Sequence, residues 1–117
     1  MNEILGKTLL YDFYGELLTP HQKDIYEQHI LEDLSLSEIA ANQGVSRQGI
    51  HDLVRRCEKI LEGYENKLHL VEKFLSIRDN VNEIEELFTR YDKEDDLTVD
   101  ELIVNVRELS KGILEKL

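Results

Sequence analysis

Apolar residues along this chain recur at spacings of three and four, and nowhere alternate with a period of two over any length. That pattern predicts helices and no sheet. In the first stretch, residues 3–15, Leu5, Leu9 and Phe13 stand four apart, with Leu10, Tyr14 and Leu17 alongside. Gly15 is expected to end this helix. A second helix opens at "LTPHQ": Thr19 is its N-cap, Pro20 takes the first helical position, and Gln22 completes a capping box. Ile25, Tyr26, His29 and Ile30 form its mostly apolar stripe.

Ser35 and Glu38 repeat the box and start a short helix of about residues 36–43, with Ile39 and Ala40 facing inward. Gly44 can take a left-handed C-cap and Val45 is expected to pack the turn. Ser46 caps a further helix that buries Ile50, Leu53, Val54, Cys57, Ile60 and Leu61.

From Tyr64 the pattern changes. Leu70, Phe74, Ile77, Val81, Ile84 and Phe88, continued by Tyr91, follow one another by 4, 3, 4, 3, 4 and 3, a heptad seam. Leu68, Val71, Leu75 and Leu87 widen it beyond what one neighbouring helix covers. The seam has two readings: packing within the chain, or an interface between two copies, a homodimer that would bury the extra stripe and pair two recognition helices. After "DKEDD" (residues 92–96), Thr98 and Glu101 show the box pattern again. They open a last helix carrying Val99, Leu102, Val106, Leu109, Ile113 and Leu117 on one face. The expectation is an all-α chain with five main helices. Residues 1–63 hold a helix-turn-helix at about 36–56. Residues 64–117 form a long helix plus a C-terminal helix, a packing or dimerisation extension.

Residues 36–56 carry the candidate chemistry. A helix-turn-helix needs a small residue where its helices cross, a residue tolerant of positive φ in the turn, and apolar positions in the second helix. Ala40, Gly44, Ile50 and Val54 supply these. At about 100° per residue, Gln48, Asp52, Arg55 and Lys59 lie opposite the apolar stripe, with Arg47 and His51 flanking them near the tip. Arginine can donate two hydrogen bonds to guanine and glutamine can pair with adenine, while Arg55, Lys59 and the helix N-terminus suit phosphates. Arg47, Gln48, His51, Arg55 and Lys59 are therefore the candidate contact residues for a nucleic acid or another partner.

Charge complicates this reading. The 117 residues carry 14 Lys+Arg against 25 Asp+Glu, net −11. Residues 46–59 are the exception, with Arg47, Arg55, Arg56 and Lys59 against Asp52 and Glu58, net +2. A spread of negative charge opposes the approach of a polyanion, and four cations on one helix allow few phosphate contacts. Weak binding, binding as a dimer, or a partner other than DNA would each account for this.

Other chemistry is thin. No apolar run reaches the roughly 20 residues a membrane span needs, and "MNEILGK" lacks the layout of a signal peptide. A lone cysteine, Cys57, fits a cytoplasmic protein. In "DKEDDLTVDELI", Asp92, Glu94 and Asp96 occupy calcium-loop positions. Leu97 and Ile103 stand where glycine and a closing glutamate are required, so a solvated loop is expected. His21, His29, His51 and His69 show no zinc spacing. No nucleophile–base arrangement and no phosphate-cradling glycine loop is present. The expectation is no catalytic residue, no metal, no cofactor, no small-molecule substrate and no membrane insertion.

"LLYDFYGELLTPHQ", "LEDLSLSEIAANQGVSRQGIHDLVRRCEKILEGYENKL" and "EKFL", across about residues 5–90, resemble the YlxM family of small bacterial helix-turn-helix proteins. The helix-turn-helix part also looks like region four of bacterial sigma factors, which reads promoter DNA. The resemblance implies a regulatory or accessory role in the signal recognition particle pathway, with that particle's protein or RNA as partner. It brings no catalytic residues. Sequence-specific DNA binding by a transcriptional regulator remains the other reading.

Overall fold

The computed structural model describes residues 3–93 and 97–117, with backbone alone for residues 3 and 4. Among them are six α-helices and no strand: α1 (Glu3–Tyr14), α2 (Pro20–Ile30), α3 (Leu36–Gln43), α4 (Arg47–Leu68), α5 (Leu70–Asp92) and α6 (Val99–Lys116). The chain is all-α, with one more full helix than the five main ones expected. The eight-residue α3 stands as an element because both its ends are capped. The Ser35 side chain accepts from the Glu38 N–H at 3.1 Å while Glu38 accepts from the Ser35 N–H at 3.2 Å, and Gly44 closes the other end at φ 68°. The box at Thr19 and Gln22 is likewise reciprocal. The one at Thr98 is not: its hydroxyl accepts from the Glu101 N–H at 3.2 Å and also binds the Glu101 carboxylate at 3.0 Å, which therefore does not reach the backbone.

Two compact units result, Met1–Val71 and Glu72–Leu117. In the first, α4 is the central helix. It buries Ile50, Val54, Cys57 and Leu61, while Leu53 and Ile60, also expected inside, are only half-buried. Ile39 and Ala40 of α3, Ile25 and Tyr26 of α2, and Leu9, Tyr11 and Tyr14 of α1 complete the core. The stripe expected on α1 is rotated. Leu5 and Phe13 are exposed, and Tyr11 takes an inner position because its hydroxyl can reach Glu27 at the rim. A buried tyrosine is tolerated where its hydroxyl finds a partner. A Cβ at Gly15 would lie 2.6 Å from the Tyr11 ring, so only glycine lets α1 end there, in a 3-10 turn over Gly15–Leu17. Val45 does not pack the turn either. It is exposed, and its N–H bonds the Ala40 carbonyl at 3.1 Å, so the closure is made by backbone.

The change of pattern at Tyr64 is not a break. α4 continues to Leu68 and ends at His69, a left-handed residue at φ 55°. The α5 backbone then starts on side chains of the first unit. The Tyr14 hydroxyl donates to Glu65 Oε1 at 2.6 Å and accepts from the Leu70 N–H at 3.2 Å, and Glu65 Oε1 accepts from the Val71 N–H at 3.0 Å. Two N–H groups that α5 cannot satisfy itself are thus met by a phenol and a carboxylate.

In the second unit α5 and α6 run antiparallel. Lys116 Nζ lies 3.5 Å from the Ser76 carbonyl, and a Cβ at Gly112 would stand 3.6 Å from Asn80 Nδ2. Two helices cover one another on one side only. Among its described residues just Leu97 and Leu102 are buried, while Val99, expected on the inner face of α6, and Leu117 are exposed. Glu94 and Asp96 of the calcium-like loop lie outside the described residues.

Candidate nucleic-acid interface

Helix α4 begins at Ser46, whose side chain accepts from the Gly49 N–H at 3.0 Å. Its inner residues fix its rotation against α1, α2 and α3. Gln48, Asp52, Arg55 and Lys59 therefore fall in one row on the outer side, all exposed, with Arg47 exposed at the tip. The His51 side chain is 44% exposed, so it borders the row rather than lying on it. The structure brings these candidate residues onto one face, and adds one that sequence reading counted only as charge: Arg56. Asp52, Arg55, Arg56 and Lys59 line an open hollow of about 260 Å³. Arg56 stands some 60° off the row, close enough for its long side chain to reach the same hollow.

The electrostatics of the face differ from those of the chain. Among the described residues, no carboxylate lies within ion-pair distance of Arg47, Arg55, Arg56 or Lys59. Glu58, the second acid of the segment, pairs with Lys7 of α1 at 3.4 Å. Asp52 alone remains among the cations. It accepts a hydrogen bond from Gln48 Nε2 at 2.9 Å, and stands 3.7 Å from His51 Nδ1, too far for a hydrogen bond. The row thus offers cations with free donors, one tethered amide and one carboxylate.

Cys57, the one thiol, is fully buried. Burial pushes it up to about 11, with Arg56 working against the shift and Glu58 with it. A neutral buried thiol is a core residue, not a nucleophile. Its folded value lies above the unfolded one, so its contribution to stability is complete below about pH 8.5 and is lost as pH rises through 11. A thiol reagent should label the native protein at pH 7 only as fast as the fold opens. Labelling at the rate of a free cysteine would show that the thiol is accessible. His29 is half-buried beside Tyr26, with ring centroids 6.3 Å apart, a packing position. No described helix is long and apolar enough to cross a membrane.

Comparison with known proteins agrees with this unit. The family described as "Putative helix-turn-helix protein, YlxM / p13 like" (UPF0122) matches residues 1–102. A UPF0122 protein of Caldanaerobacter subterraneus subsp. tengcongensis is 46% identical over 85 residues, 73% of each chain. One from Desulforamulus reducens is 39% identical over 117 residues, all of this chain and 94% of that relative. One from Oceanobacillus iheyensis is 54% identical over 65 residues, 56% of this chain and 62% of the relative.

Proposed function

Since the chain belongs to the UPF0122 family of YlxM / p13-like helix-turn-helix proteins, we propose that it is a regulatory protein acting by binding, and that the outer face of α4 is its contact surface for duplex DNA. The observation that carries this is that Arg47, Arg55, Arg56 and Lys59 of α4 have no carboxylate partner among the described residues. In a chain of net −11, a helix face on which cations outnumber acids marks where an anion can approach. Arg47 and Gln48 at the tip are placed for base edges, and Arg55, Arg56 and Lys59 further along for phosphates. The resemblance of residues 36–56 to region four of sigma factors supports the same use. The proposal includes a cytoplasmic setting and a homodimer through the α5 seam, which doubles the phosphate contacts available to so few cations.

A second reading is favoured by the −11 charge and by Asp52 within the face. Here the protein docks on the protein or RNA of the signal recognition particle, with its acidic surface meeting basic partners. Fluorescence anisotropy separates the two. The purified chain is titrated against random duplex DNA, and against signal recognition particle RNA with and without its protein subunit, at low and physiological salt. Sub-micromolar duplex binding that collapses with salt is expected. Silence on DNA with a clear signal on the particle would replace the first reading by the second.

A further inference from the structure

Arg55 sits between two acids. Asp52 lies three residues before it and Glu58 three residues after it, and residues three apart are neighbours on a helix surface. Either carboxylate has the reach to close on the guanidinium, yet neither stands within ion-pair distance of it. Each is engaged elsewhere. Asp52 accepts from Gln48 at 2.9 Å, and Glu58 meets Lys7 of α1 at 3.4 Å. Glu62, the next acid on this side of α4, stands about two turns beyond Arg55 at the far end of the row.

The two holds differ in kind. Gln48 shares the row with Asp52, so changing it changes the face itself. Lys7 belongs to another helix and is joined to the face only through Glu58. At about 100° per residue, Glu58 stands some 60° round α4 from Arg55, toward the buried stripe. Its side chain is 20% exposed and that of Lys7 35%, so water screens this pair less than one in the open. Removing the ammonium leaves a half-buried carboxylate without that counter-charge. On its own helix Arg55, one turn back, is the exposed cation that faces it, and Glu62, four residues on, repels it in the same direction.

We infer that Lys7 is a positioning residue for the α4 face: by holding Glu58 it keeps Arg55 available to a phosphate. The inference rests on the DNA reading of α4 and adds to it a residue of α1 that touches no DNA. Without Lys7, Glu58 closes on Arg55, and α4 loses one phosphate contact while keeping every cation of its own. Lys7 acting through its own charge, by long-range attraction or by a direct phosphate contact, is a different account. Its effect would add to that of Glu58 and not depend on it.

Anisotropy titrations of the full chain against random duplex DNA, over a range of salt, test this with Lys7→Gln, Glu58→Gln and the double variant. Lys7→Gln should weaken binding about three- to fivefold and lower the slope of log K against log salt by about 0.9. Lys7→Arg should bind as the wild type does. Glu58→Gln should change little in the wild-type background and restore both affinity and slope in the Lys7→Gln background. An equal effect of Glu58→Gln in the two backgrounds would overturn the inference. A second measurement uses no nucleic acid. In NMR spectra of the free protein, the Arg55 side-chain N–H should exchange with water more slowly in Lys7→Gln and return to the wild-type rate in the double variant. An Arg55 signal unmoved by Lys7→Gln would overturn the inference whatever the titrations give. A wild type silent on duplex DNA, with Arg55 responding as expected, would support the hold on Glu58 and remove only the DNA reading.

Discussion

Ile39→Ala is expected to destabilise the first unit by about 2–5 kcal/mol. Ile39 has no exposed surface, and it sits on the eight-residue α3 where that helix meets α4. Truncation removes three carbons from a close-packed site and leaves a cavity. An element two turns long, tied by a box at one end and a glycine at the other, has little else to hold it. For a unit of roughly 70 residues each kcal/mol moves the melting temperature by about 4–8 °C, so a drop of 10 °C or more is expected. Thermal unfolding followed by circular dichroism reads this directly. A shift below 3 °C would mean that α3 contributes little to holding α4. Ile39→Val at the same site should cost only about 0.5–1.5 kcal/mol, which separates a packing effect from general intolerance.

The second large effect concerns binding. Arg47→Ala should lower affinity for a preferred duplex by about 1–3 kcal/mol for a lost base contact, roughly five- to 150-fold. It should change the salt dependence little. Arg55→Ala and Lys59→Ala should instead weaken binding to all sequences alike, and each should reduce the slope of log K against log salt by about 0.9. Asp52→Asn should strengthen binding, because it removes the one carboxylate among the cations of the hollow. Anisotropy titrations over a range of salt separate these patterns. Equal behaviour of Arg47→Ala and Arg55→Ala in both affinity and slope would remove the assignment of tip residues to bases.

Much of the fold was legible in local chemistry. N-caps at Thr19, Ser35, Ser46 and Thr98 and the glycine at 44 mark helix ends, because each meets an orphan backbone group within four residues of itself. What local chemistry does not carry is rotation and termination set by distant partners. Periodicity alone put Leu5 and Phe13 inside. The rotation of α1 is set by Tyr11 and Tyr14, whose hydroxyls reach Glu27 and Glu65, residues 16 and 51 positions away. Likewise the end of α4 at His69 has no glycine or proline to announce it. It became visible only through Tyr14 and Glu65 holding the first N–H groups of α5.

On α4 the row Gln48, Arg55, Lys59 follows directly from helical spacing, so it was readable without coordinates. Arg56 was not, since its place at the hollow depends on the reach of a long side chain past the edge of the row. Neither was the separation of Glu58 from the cationic face, which depends on Lys7 of another helix.

The hydrogen bond from Gln48 to Asp52 has a consequence for selectivity. A free carboxamide is two-sided, offering an NH₂ and a carbonyl at once, and so matches the paired acceptor and donor of adenine. With one of its two N–H groups held by Asp52, Gln48 keeps its carbonyl and a single N–H for a partner, in the direction the bond leaves open. On the proposed DNA face it can still meet the paired donor and acceptor of adenine, but from one orientation of the amide rather than from either. A carboxylate one turn away thus sets the grammar of the helix tip: it fixes word order and removes no word.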